Sequence, residues 1–93
     1  LALLGTAATP ALAGPWVNHH PRQAQVLART HHQIARINEE RREGDLSGPQ
    51  ARALRAQDRA IAQEVHADAQ ANGGYITKSQ QHQLNRQLNS ASY

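Results

Sequence analysis

The apolar positions of the chain recur at helical spacing. Val26, Thr30, Ile34 and Ile37 follow one another at intervals of four, four and three, with Leu27 beside them. That period lines one face of an amphipathic helix from about Pro21 to Arg42. His20 stands before Pro21, and a residue before proline is pushed out of the helical region, so the helix opens there. Residues 14–20 read as an extended lead-in to a helical domain over 21–93. A second helix is predicted from Pro49 to about Ala71, with Ala51, Leu54, Ile61 and Val65 on one face. Asp58 interrupts that face, and the expectation is a carboxylate at the core's edge satisfied by Arg55 or Arg59. A third helix begins at Lys78 and turns Gln81, Leu84, Leu88 and Ala91 inward; with Gln and Asn elsewhere, it should be weakly held and fray toward Tyr93. No stretch alternates with period two over a useful length, so no strand is expected. The fold class predicted is all-α, a three-helix antiparallel array built as a helix-turn-helix repeat.

The two turns are written alike. Gly44-Asp45-Leu46-Ser47-Gly48-Pro49-Gln50 and Gly74-Tyr75-Ile76-Thr77-Lys78-Ser79-Gln80 share glycine, any residue, aliphatic, hydroxyl, two residues, Gln. Gly44 and the Asn72-Gly73-Gly74 run supply the left-handed backbone that closes a helix without a Cβ penalty. Ser47 and Thr77 are N-caps, and Gln50 and Gln80 reach back to them as capping boxes. Leu46 and Ile76, directly before the caps, are placed as hydrophobic staples. Pro49 lies in a first turn, where a missing N–H costs nothing.

Composition changes the picture at the start of the chain. Residues 1–13 are uncharged, small and apolar and end in Ala11-Leu12-Ala13, the small-residue pattern a signal peptidase accepts. They read as a signal-peptide remnant, which makes the protein periplasmic or secreted. The stretch is too short to span a bilayer, which needs about 20 apolar residues. The formal net charge of +3 belongs to the remainder; with acids interspersed, it makes no focused stripe for nucleic acid. Without cysteine the chain has neither disulfide staples nor thiol chemistry. Few apolar side chains exceed alanine, and a core of this size rarely supplies more than about 3–5 kcal/mol. Marginal stability or self-association follows.

Candidate chemistry is sparse. His19, His20, His31, His32, His66 and His82 are the candidate ligands for zinc, copper or nickel, since neutral imidazole suits these ions. No H-x-x-x-H pair places two of them on one helical face. The turns also resemble the second half of an EF-hand loop, which would put Glu39, Arg41, Glu43, Ser47 and Gln50 in the first set of ligand positions. Ala69, Ala71, Gly73, Thr77 and Gln80 would fill the second, and neither set has the bidentate Glu. No phosphate loop, nucleophile elbow or Ser-His-Asp grouping is present, so neither an enzyme nor a cofactor is expected.

Leu46-Ser47-Gly48-Pro49-Gln50 and Ile76-Thr77-Lys78-Ser79-Gln80 resemble the L-T-x-x-Q boxes of the periplasmic CpxP/Spy stress-chaperone family. Here Leu-Thr has become Leu-Ser and Ile-Thr, and the boxes are closer together than in that family. A second resemblance covers about Asn18 to Tyr93. His20-Pro21-Arg22, Arg36-Ile37-Asn38, Asn72 to Thr77 and Leu84 to Asn89 are similar to a group of small secreted bacterial helical proteins of unassigned function. Together these resemblances imply an exported helical protein with a stress-response or protein-binding role and no catalysis. A histidine-based metal buffer is the alternative, and calcium at the EF-hand-like turns a third reading.

Overall fold

The computed structural model describes residues 14–91. Its regular structure is wholly helical, in the order α1 (Pro15–His19), α2 (Pro21–Arg42), α3 (Gly48–Ala71) and α4 (Lys78–Ala91). The signal-peptide remnant over 1–13 and Tyr93 lie outside the described residues. Among the described residues, no helix is long and apolar enough to cross a membrane.

The turns do what their local chemistry dictates. At the first, Gly44 takes φ +86°, and the N–H groups of Asp45 and Gly44 donate to the carbonyls of Glu40 and Arg41 at 2.9 and 3.2 Å. This is the paired bonding of a Schellman motif. Ser47 then caps α3: its hydroxyl accepts from Gln50 N–H at 3.1 Å while its own N–H donates to Gln50 Oε1 at 2.8 Å. At the second turn Gly74 N–H donates to Ala69 O at 2.7 Å, and both Gly73 and Gly74 have positive φ. Thr77 and Gln80 repeat the reciprocal box at 2.8 and 3.0 Å. The staples differ. Leu46 packs with Ala51, the fourth residue of α3, in a small cluster, whereas Ile76 enters the main core, because the corresponding position of α4 is the polar Gln81.

The expected extended lead-in is corrected. Pro15 begins a single helical turn through His19, because proline's fixed φ suits a first helical position. His20, held at φ −135° and ψ 56° by the following Pro21, separates that turn from α2.

Helices α2, α3 and α4 pack against one another. Consecutive helices are antiparallel, and α2 and α4 therefore run parallel: Gln25 meets Gln81 and Asn85, Arg29 meets Asn85 and Asn89, and Gln33 meets the Leu88 carbonyl. At about 1.5 Å per residue, α4 is roughly 21 Å long and covers α2 only from Gln23 to about Gln33. One half of the molecule is thus a three-helix bundle and the other a two-helix hairpin.

The core divides at the same place. Val26, Leu27, Ile61, Val65, Ile76, Leu84 and Leu88 fill the three-helix half; Ile37, Leu46 and Ala51, with Leu54 against them, fill the hairpin end. Along the chain Thr30 and Gln33 of α2 and Asp58 of α3 fall between residues of the two clusters, and the Arg55–Asn38 bond sets Asp58 close to the level of Gln33, so a polar layer interrupts the apolar stripes of both helices.

Candidate functional site

A groove lies where α4 meets α3. Its floor is apolar, made by Ala60, Ile61 and Ala91, and Gln57, Glu64, Gln87 and Ser90 form its rim around about 380 Å³. Glu64 is fixed on the rim by a 3.3 Å hydrogen bond from Gln87 Nε2. A more polar recess of about 450 Å³ continues along the outside of α4 past Ser79, His82, Gln83 and Arg86.

The α4 wall of this groove is fastened by neutral amides on its other side. Gln25 and Asn85 exchange hydrogen bonds at 3.2 and 2.9 Å, and Gln81 Nε2 donates to Gln25 Oε1 at 3.0 Å. Arg29 donates to the side-chain oxygens of Asn85 and Asn89 at 3.1 and 2.9 Å. Most of these atoms are exposed, where water competes for each bond, so the net contribution of each is small. The apolar anchors of α4 itself are Leu84 and Leu88, both fully buried. The weak hold expected of a polar helix therefore has a specific form, an amide seam at four-residue spacing on both helices, which sequence reading missed. Its signal was the recurrence Gln25, Arg29, Gln33 against Gln81, Asn85, Asn89.

The second turn has a firmer anchor. Gln23, 4% exposed, donates from Nε2 to Gly74 O at 2.8 Å and accepts from Ile76 N–H at 3.4 Å. One amide thereby ties the start of α2 to the entry of α4. Beside it the His20 ring is sandwiched between Trp16 and Tyr75, with centroids 4.6 and 4.7 Å away and planes within 12° and 9°. Its Nδ1 lies 3.0 Å from the Trp16 carbonyl oxygen. Tyr75 is half exposed and forms the outer member of this stack.

Asp58 is the residue the structure places most differently. It is fully buried, and neither carboxyl oxygen has a hydrogen-bond partner. The expected pairing with Arg55 or Arg59 is absent: Arg55 donates across the hairpin to Asn38 at 3.0 Å, and Arg59 is exposed. Burial raises the Asp58 carboxyl above the ordinary carboxylate range. In the same layer Gln33 uses its amide N–H on the Leu88 carbonyl and leaves its buried Oε1 unpartnered. Thr30 satisfies its hydroxyl locally on Leu27 O at 2.7 Å.

The candidate metal ligands are dispersed. His19, His31, His32, His66 and His82 are exposed and His20 is half buried in its stack. Among the described residues, the His, Asp and Glu side chains that converge are Glu40, Glu43 and Asp45, with ligand oxygens within 4.8 Å of one another. Only Glu43 of this trio coincides with the EF-hand positions predicted for the first turn. A hydrogen bond with Asp45 raises the Glu40 carboxyl. Glu39 is instead ion-paired with Arg42. Compared with known proteins, the chain matches no family model, no curated protein and no solved structure.

Proposed function

We propose that this is an exported, non-catalytic protein-binding module that takes up apolar segments of other proteins in the groove between α3 and α4. The observation that carries the reading is the pairing of an apolar groove floor with a wall that is weakly fastened. Ala60, Ile61 and Ala91 offer a surface for an aliphatic side chain, and the amide and carboxyl rim can bond an extended backbone. Movement of α4 away from α3 widens the groove onto Val65, Leu84 and Leu88, which are otherwise fully buried. Such a surface suits unfolded or stress-damaged clients, the role that the L-T-x-x-Q-like turns suggest by resemblance. Export rests on the A-x-A ending of residues 1–13.

The test is light scattering of a chemically unfolded client diluted into buffer with and without the protein, free of added metal. Suppression of aggregation is expected with the wild type. It should be lost in Ala60→Arg, which fills the groove from an exposed helical position while keeping a good helix former. Aggregation unchanged by the wild type, or suppression retained in Ala60→Arg at an unaltered melting temperature, would sink the proposal.

A further inference from the structure

The polar layer lies toward the last described turn of α4. Gln57 of α3 and Ala91 of α4 line the same groove, so Asp58, next to Gln57, lies near the last described turn of α4. From the other side Gln33 bonds the Leu88 carbonyl. The carboxyl of Asp58 and the side-chain oxygen of Gln33, three buried acceptor atoms without a donor, thus lie beside the last described turns of α4.

An arrangement of that kind distinguishes sharply between two protonation states. A neutral carboxyl in an apolar layer loses part of its hydration, whereas an ionised one without a partner is several-fold more costly to keep dry. No charged neighbour offsets the difference. On α2, Arg29 is engaged with Asn85 and Asn89, and His31, His32 and Arg36 are exposed. On α3, Arg55 bonds Asn38 and Glu64 bonds Gln87, while Arg59 faces solvent; on α4, His82 and Arg86 are exposed. The cheapest route to water is release of the last turns of α4, because the opposite wall is the continuous α2–α3 hairpin and the seam on α4 is made of exchangeable amides.

We propose that Asp58 is a proton-operated latch on α4: protonated, it lets the helix close over the polar layer, and ionised, it loosens Leu84 to Ala91 from the α2–α3 hairpin. The inference rests on the reading of α4 as the movable wall of the binding groove. It adds the condition that moves the wall, with the groove opening as pH rises.

The sign follows from burial. A carboxyl whose folded pKa lies above its unfolded value near 3.9 contributes stability that is complete below that value. The contribution is lost as pH rises through the folded pKa. Asn keeps the shape and cannot ionise, so Asp58→Asn should match the wild type at about pH 3.5 and exceed it at about pH 7.

The experiment is hydrogen exchange of the full chain, followed by mass spectrometry on peptides of α3 and α4, for wild type, Asp58→Asn and Asp58→Leu at several pH values. The ratio of wild-type to variant protection at one pH cancels the intrinsic pH dependence of exchange. Expected is a ratio near one in acid that falls for residues 84–91 toward neutrality. The α2–α3 turn should change little. Asp58→Leu, which has no charge to hydrate, should hold α4 closed at every pH and provides a second comparison if Asn packs poorly. A ratio independent of pH against both variants, or one that changes equally across the whole chain, would overturn the latch. No client is present, so failure here leaves the groove reading standing, and failure of the aggregation assay leaves the latch standing.

Discussion

Replacing Gln23 with alanine should cost far more than replacing an exposed amide of the α2–α4 seam such as Gln25. Its side chain is 4% exposed and makes two hydrogen bonds to the backbone of the second turn, at Gly74 O and Ile76 N. Each bond has a net worth of about 1 kcal/mol, and stranding a buried donor adds about 1–3 kcal/mol. Ile76 is 1% exposed, so its N–H is stranded when Gln23 goes; Gly74 is exposed, so water replaces the lost donor there. The sum is about 2–4 kcal/mol, one bond and one stranded donor, with no loss from helix propensity, since alanine is the better helix former. A bundle of this size has about 3–5 kcal/mol in all, and the expected fall in melting temperature is about 10–30 °C. The assay is urea and thermal unfolding followed by helical circular dichroism. The control is Gln25→Ala, which removes an exposed amide bonded to Asn85 and Gln81, where water substitutes and the cost should stay below about 1 kcal/mol. Equal losses in the two variants, or a larger one at Gln25, would refute the reasoning and make the seam, rather than the turn anchor, the main attachment of α4.

Two further expectations come from the turns and the histidines. Ser47→Ala and Thr77→Ala each remove a cap hydroxyl and should each cost about 1 kcal/mol in denaturant unfolding; in hydrogen exchange Thr77→Ala should expose α4 selectively, because that helix has only two fully buried leucines to hold it. Calorimetric titration with zinc, copper or nickel should place any saturable heat at the adjacent His19 and His20. It should vanish when both become Ala, and ligation by His20 should disturb Trp16 fluorescence by breaking the stack. Heat retained in the double variant would assign the metal to other ligands.

What the sequence revealed and what it concealed divide along the range of the forces involved. The capping boxes were legible because every partner lies within seven residues: Ser47 needs only Gln50, and Thr77 only Gln80. The limits of α2 and α4 were legible for the same reason, since Pro21, Gly44, Gly74 and Thr77 act on their own backbone. Helix α1 was not. A five-residue helix has no stability of its own, and this one is fixed by a stack that joins Trp16 and His20 to Tyr75, 55 residues beyond His20. Asp58 was misread because an Arg three residues earlier looks like a partner on a helical wheel. That wheel carries no information about the neighbouring helix, and Asn38 there claims Arg55 without requiring a guanidinium to enter the core.

The repeat itself shows the same limit. Its two copies are chemically equivalent as turns and unequal in the fold, because one end has a third helix and the other does not. Leu46 staples a two-helix end with Ala51, whereas Ile76, in the matching position, is buried in the core that α4 closes. A motif thus specifies how a helix begins, and the length of that helix specifies how much it buries. Helix α4, described to Ala91, buries Leu84 and Leu88 in the three-helix core, whereas α3 contributes to both clusters, Ile61 and Val65 to one and Ala51 to the other.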